Sequence, residues 1–240
     1  VSPKTAKRLS IPEPEGTARG SFVDRVSLKV GGASVSIPTW VVPGHPDDTV
    51  TVYLGAGRKR SGRVGQGAGV DVQPLRSSAS PWSRSGGSIA KENTRYAMGC
   101  TQDHWKMEDA SERGLLRTGT HEEFKAKPDF AQHALEQSVP ISLYPDHPYN
   151  GNKWGMSIDL SSCIGCNACV TACQSENNIA VVGKEQIMRG REMQWLRIDR
   201  YYEGESEAPA VHHQPVPCMQ CENASCEVVC PVAATTHSEE

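Results

Sequence analysis

Cys163-Ile-Gly165-Cys166-Asn-Ala-Cys169-Val-Thr-Ala-Cys173 decides how the rest of this chain is read. A second run answers it, Cys218-Met-Gln-Cys221-Glu-Asn-Ala-Ser-Cys226-Glu-Val-Val-Cys230-Pro231. Together they hold eight of the nine cysteines in 240 residues. The first run is spaced C-x2-C-x2-C-x3-C, and the second keeps that frame with two more residues before its third cysteine.

The first spacing is that of bacterial iron–sulfur ligation. A cubane cluster presents its irons at separate corners. Three cysteines at i, i+3 and i+6 on a tight loop turn their sulfurs toward one centre, and the fourth points away to a neighbouring cluster. Gly165 carries no Cβ and lets the backbone approach inorganic sulfide. Backbone N–H groups in such a loop donate to sulfur and raise the potential. Pro231 fixes φ just after the last ligand. Two alternatives remain to be weighed. A structural zinc site uses four ligands, not two quartets. Disulfides between cysteines three apart close poorly within one tight turn.

Composition bounds the rest. The apolar fraction is 37%, aromatics are 6%, and glycine and proline total 38 residues, so loops are plentiful and part of the chain is expected to pack on partners. A net charge of −3 gives no basis for nucleic-acid binding. No apolar run approaches the roughly 20 residues that span a bilayer, and no signal peptide is visible. The chain opens Val1-Ser-Pro-Lys and closes His237-Ser-Glu-Glu240, which reads as an excerpt of a longer polypeptide.

Taken in order, residues 1–20 read as a polar arm or linker. Residues 21–92 read as β-rich: Val26, Leu28 and Val30 alternate, Gly31-Gly32 turns, Val35 and Ile37 follow, then Val50, Val52 and Leu54. The glycines between Leu54 and Gly69 suggest a phosphate loop, but no helix start follows, so a Gly-rich loop in a small β-barrel is the preferred reading. Within that region residues 77–92 are Ser- and Gly-rich, as in a linker. Residues 93–152 read as a linker with short helices, around Asp109-Ala-Ser-Glu-Arg-Gly and His121-Glu-Glu-Phe-Lys-Ala-Lys. Cys100 reads as a small buried filler, and His104, His121 and His133 as solvated or capping. Residues 153–240 read as the cluster-binding region. A strand over Trp154–Leu160 delivers the chain to Cys163, and a helix over Asn167–Ser175 carries Cys169 and Cys173. Met193–Tyr201 alternates as a strand. The 44 residues from 174 to 217 leave room for an inserted hairpin, and His212–Pro217 approaches the second run extended.

Two resemblances follow from these residues. Val50–Arg76 looks like the C-terminal barrel domain of molybdopterin oxidoreductases, which holds the pterin dinucleotide in working enzymes. The active-site portions of such an enzyme would precede Val1, so no molybdenum is expected. From about Trp154 onward the chain resembles the four-cluster ferredoxin-like subunits of respiratory molybdopterin-type complexes. The carriers are Trp154-Gly-Met-Ser-Ile-Asp-Leu, Cys163-Ile-Gly-Cys-Asn-Ala-Cys, Glu176-Asn-Asn-Ile, Val182-Gly-Lys-Glu, Gly190-Arg-Glu-Met and Pro215-Val-Pro-Cys-Met-Gln-Cys-Glu. The nearer match is the iron–sulfur subunit of alternative complex III, a bacterial quinol oxidoreductase.

The resemblance implies an α+β architecture: a small β-barrel followed by a truncated ferredoxin-like domain. It implies 4Fe-4S clusters, with one 3Fe-4S centre possible in the full protein, bound by Cys163, Cys166, Cys169, Cys173, Cys218, Cys221, Cys226 and Cys230. In the four-cluster plan Cys163, Cys166 and Cys169 share a cluster with the last cysteine of a fourth run, and Cys173 completes that run's cluster. Cys218, Cys221 and Cys226 pair in the same way with a third run, whose cluster Cys230 serves. The alternative is local, with Cys230 completing the first trio and Cys173 the second. The implied role is electron relay in a membrane-associated respiratory quinol oxidoreductase. The implied partners are a quinol-binding integral membrane subunit and cytochrome c subunits, with no membrane span in this chain itself. The implied location is peripheral, on the periplasmic face of the cytoplasmic membrane. Rival readings are the electron-transfer subunit of a molybdenum reductase and a structural zinc module. Lys184, Arg189, Arg191, Arg197 and Arg200 either stabilise reduced clusters or form ordinary surface ion pairs. Glu176, Asp199 and Glu222 are candidate proton acceptors.

Overall fold

Val26, Leu28 and Ile37 are the residues around which the first half folds. They lie on the first two strands, β1 (Ser21–Val30) and β2 (Ala33–Pro38), and are nearly inaccessible. The strands pair antiparallel from Arg25↔Pro38 to Val30↔Ala33, which leaves a two-residue turn at Gly31-Gly32. Both glycines have positive φ (+55° and +86°), as the tight hairpin turn that matches strand twist requires. The computed structural model describes residues 1–12, 21–102, 105, 116–131, 145, 147–153 and 155–236.

A third strand, β3 (Ser88–Met98), pairs antiparallel with the other edge of β1, giving the order β2-β1-β3. It occupies residues expected as the end of a linker and the start of a helical region. The ladder slips between Asp24 and Val26, so Asp24 faces Arg95 while Val26 faces Lys91. The slip turns the Asp24 carboxylate toward Lys91 Nζ, 2.8 Å away, which compensates a charge only 8% exposed.

Three expectations fail here. The sheet is open among the described residues, not a closed barrel. Val50, Val52 and Leu54 add no strand, and Val50 and Val52 pack against the core as irregular chain. Among the described residues neither outer strand of the sheet, β2 nor β3, pairs with this stretch. Residues 1–12 are not an extended arm either. Pro3–Arg8 form a short helix, α1, capped by Ser2, whose Oγ accepts from Thr5 N and donates to Asp47 Oδ1. Serine at the cap with proline next is a helix-start signature. The helix buries Ala6 beside Val1, Ile11, Val41, Val72 and Leu75.

Among the described residues, a 3-10 turn at Gln73–Leu75 and two short helices, α2 (Gly62–Gly65) and α3 (His121–Ala126), precede the second half. The first of the expected helical pieces, residues 109–114, together with His104, His133 and Trp154, lies outside the described residues. Residues 155–159 are irregular, not a strand. Then come α4 (Ala168–Glu176), α5 (Gly183–Met188), and strands β4 (Leu196–Glu203) and β5 (Ala210–Pro217), followed by α6 (Ser225–Val228). β4 and β5 form the inserted hairpin, in register from Leu196↔Pro217 to Glu203↔Ala210. β4 starts three residues later than the alternation suggests. Its partner ends at Pro217, where the chain enters the second cysteine run, so Met193–Trp195 have nothing to pair with. Pro215 and Pro217 are tolerated because β5 is an edge.

Gln102 ties the two halves together. Its side-chain amide donates to Arg200 O at 2.7 Å and accepts from Arg200 N at 2.9 Å, acting as one more rung beside β4. Tyr202 N donates to Trp105 O at 2.8 Å, and Trp105 packs on Trp40 with ring centroids 5.6 Å apart.

Candidate metal centre

The approach to the first cysteine run is fixed by Asp159. Its carboxylate accepts from Ser161 N at 2.9 Å and Ser162 Oγ at 2.8 Å, and its carbonyl accepts from Cys163 N at 3.0 Å. Ser162 first, then the Ser161 N–H, holds this carboxyl below the usual carboxylate range. The loop then turns through two left-handed residues, Gly165 (φ +64°) and Asn167 (φ +62°). A Cβ on Gly165 would meet nothing within 4 Å, so the turn itself, not crowding by protein, calls for glycine. Asn167 starts α4, where Cys169 and Cys173 stand one turn apart on the same helical face.

The second run leaves the end of β5 and repeats the pattern. Gln220 (φ +49°) is left-handed at the step Gly165 occupies in the first loop, directly before the second cysteine. Its N–H donates to Cys218 Sγ at 3.5 Å. Cys226 sits in α6. Beyond Pro231, Ala233 (φ +50°) is left-handed too, and Ala234 N donates to Cys230 Sγ at 3.2 Å. The Ala234 N–H, followed by that of Val232, holds the Cys230 thiol below the ordinary cysteine range. These donors stabilise sulfur as thiolate, the form that binds metal.

None of the nine cysteines is joined in a disulfide. Cys166, Cys169, Cys218, Cys221 and Cys226 are exposed, and Cys163, Cys173 and Cys230 are half-buried. Among the described residues, no three histidine, cysteine or carboxylate side chains converge closely enough to grip a single ion. A cube presents its irons at separate corners, so its ligands stand further apart than donors around one ion. Unbridged cysteines on left-handed loops, with N–H groups aimed at sulfur, are a donor set that fits iron–sulfur clusters.

Several other sequence candidates are accounted for locally. Cys100 is half-buried, not fully buried as a filler would be, donates to Gln102 O at 3.1 Å, and lines the same cavity as Ile164, Gly165 and Asn167 of the first loop. His121 opens a helix closed by the Thr120–Glu123 capping box. Arg189 pairs with Glu185 at 2.8 Å, Arg197 pairs with Asp199 at 3.0 Å, and Lys184 lies over the Tyr96 ring. The two arginines make local ion pairs, and Lys184 reaches across to β3 of the first sheet. Asp199 is buried on β4, and Glu222 lies 3.7 Å from His147. One further residue emerges only from the structure. Asn177 caps α4 and donates from Nδ2 to Cys173 O at 3.0 Å and to Cys173 Sγ at 3.6 Å. An amide four residues after a helical cysteine is the signal that marks it.

Comparison with known families agrees with this geometry. A family described as "4Fe-4S dicluster domain" matches residues 162–234. This stretch is a ferredoxin-like 4Fe-4S dicluster domain. It is an electron-transport, metal-binding module, and its cofactors are 4Fe-4S clusters. The chain is 46% identical over 92 residues to the iron–sulfur cluster-binding subunit of menaquinone reductase from Nitratidesulfovibrio vulgaris, covering 37% of this chain and 34% of that protein. It is 38% identical over 97 residues to a selenate reductase subunit of Mesobacillus selenatarsenatis, covering 39% and 28%. It is 36% identical over 91 residues to a tetrathionate reductase subunit of Archaeoglobus fulgidus, covering 38% and 37%. The chain thus spans about a third of the length of these curated relatives. Among the described residues no helix is long and apolar enough to cross a membrane.

Proposed function

We propose that the intact protein is the electron-transfer iron–sulfur subunit of a membrane-associated redox complex, and that the eight cysteines of the two runs are its cluster ligands. The observation that carries this reading is the pair of cysteine quartets on two loops that share a left-handed step and are joined by the β4–β5 hairpin. Clusters supply one-electron chemistry with charge spread over several irons and sulfurs. This chain's own part is to hold the thiolates, aim N–H donors at them and set the surrounding charge. We assign the cluster-bearing unit to residues 153–240, following the β-rich region at 21–92 and its linker.

In finer detail, the proposed role is that of the iron–sulfur subunit of an alternative complex III-type quinol oxidoreductase. Electrons would pass from quinol, at an integral membrane partner, toward a cytochrome. The protein would sit peripherally on the periplasmic face. A second reading is favoured by the names of relatives, which include selenate and tetrathionate reductases. There the subunit serves a molybdenum reductase and electrons run the other way. A pterin cofactor in the purified parent complex selects that second reading, and its absence alongside haem selects the first. For either, the intact protein purified without oxygen is expected to be brown and to contain acid-labile sulfide. A colourless zinc-containing sample ends both.

Asn177 adds a measurable detail. Its amide stabilises negative charge at Cys173, so Asn177→Ala is expected to lower the potential of the cluster that Cys173 binds. A lost charge-assisted hydrogen bond of about 1.5 kcal/mol corresponds to about 60 mV for one electron. An EPR-monitored redox titration reads the shift, and an unchanged midpoint removes Asn177 from the set of tuning groups.

A further inference from the structure

The Gly-rich stretch after Leu54 carries no cysteine, and its path is closely defined, with Val64 seated against Gly183 at the start of α5. Its two legs meet at a clamp. Gly57 N donates to Ala68 O at 2.9 Å. A Cβ on Gly57 would lie 2.0 Å from Asp71 N, and one on Gly69 would lie 2.5 Å from Ala56 Cβ. Both glycines have positive φ, +68° and +74°. They therefore serve the crossing of the legs.

What the clamp holds out is charge. Arg58, Lys59, Arg60 and Arg63 are all exposed. Among the described residues no carboxylate pairs with any of the four, whereas Lys4, Arg8, Lys91, Arg95, Arg189 and Arg197 each have one within 4 Å. A chain of net charge −3 thus concentrates four such cations on one short loop. At the foot of that loop Tyr53 is 81% exposed and Leu54 is 40% exposed.

We propose that residues 53–63 are a docking site for the anionic surface of a phospholipid bilayer. Arg58, Lys59, Arg60 and Arg63 lie over the headgroups, and Tyr53 and Leu54 enter the interface. Each cation near such a surface attracts it independently of exact position, and a phenol ring settles at headgroup depth. An acidic protein face would instead offer carboxylates at fixed points. Here the four side chains are long and have no carboxylate partner among the described residues, and they stand beside exposed apolar groups that fixed carboxylates would not use. The site does not depend on the cluster reading, since none of residues 53–63 is a proposed cluster ligand.

The test uses the full chain and extruded vesicles, either of phosphatidylcholine alone or with about one-third phosphatidylglycerol, in a co-sedimentation assay. The chain is expected to bind the anionic vesicles only, and to release them near 1 M salt, where screening is nearly complete at roughly 3 Å. The triple variant Arg58→Gln/Lys59→Gln/Arg60→Gln is expected to bind about a hundredfold more weakly. Tyr53→Ser/Leu54→Ser is expected to bind about tenfold more weakly. Both variants should keep the wild-type circular dichroism, since these side chains are exposed. Equal binding to neutral vesicles overturns the proposal, as does undiminished binding by the triple variant. Salt-sensitive binding to soluble poly-glutamate without vesicle binding overturns it in favour of an acidic protein partner. None of these outcomes alters iron or sulfide content, so a failure here is distinct from failure of the cluster reading.

Discussion

Cys166→Ser in the intact protein is expected to remove one cluster outright, with loss of about four irons and about four labile sulfides per chain. Cys166 is exposed and lies between two left-handed residues, so exchanging its sulfur for oxygen disturbs little packing. Loss of metal would then report ligation and not unfolding, and an unchanged circular dichroism spectrum checks this. The same variant resolves which cysteine closes which cluster. If Cys230 completes a cluster belonging to a further run, adding Cys230→Ser removes a second cluster, about eight irons in all. If Cys230 closes the first trio locally, the double variant loses no more than the single one. We expect the larger loss. Full retention of iron and sulfide by Cys166→Ser would mean that the first run is not a ligand set.

Asp199→Ala is the second change with a large consequence. Asp199 is only 4% exposed on β4. Arg197 Nε donates to both carboxylate oxygens at 3.0 Å, and Tyr201 Oη donates to Oδ2 at 3.2 Å. Removing a buried partner leaves two donors without an acceptor, but the Arg197 side chain is 45% exposed and can return to water. That discounts the penalty to about 2 kcal/mol, below the cost of breaking a fully buried pair. Urea unfolding should show a lowered midpoint with an unchanged slope, and Asp199→Asn, which keeps an acceptor, should lose less. The phenol gives a second readout. Burial and then the Asp199 charge push the Tyr201 pKa up. Neutralising Asp199 is expected to move its ultraviolet titration back toward lower pH. A stability loss confined to experimental error would show that this polar group on the hairpin is dispensable.

Local codes explain most of what could be read from the chain alone. The cysteine spacing fixes the identity of the donor set because ligation demands residue type and interval together. Gly31-Gly32 fixes the first hairpin because few residues accept positive φ twice in succession. The α4 helix follows from its position just after the first loop. The misses arise where partners distant in sequence decide the outcome. Alternation at Val50, Val52 and Leu54 looks like a strand, but no neighbouring strand is offered, so it packs without a ladder. β3 is hidden because its exposed residues, such as Lys91, Asn93 and Thr94, show no clean alternation, and its place is set by pairing with β1. The Ser2-Pro3 helix start is legible in principle, but the polar composition around it masks the signal. Asn177 is marked only by its place four residues after Cys173, once the helix is known, and Gln102 acts across 98 residues, which no spacing encodes.

The shared backbone twist at Gly165 and Gln220 separates conformation from composition. One bend is drawn by glycine, which takes positive φ freely, and the other by glutamine, whose Cβ makes that region costly. The common element of the two loops is therefore the path of the main chain, not the side chain at the bend.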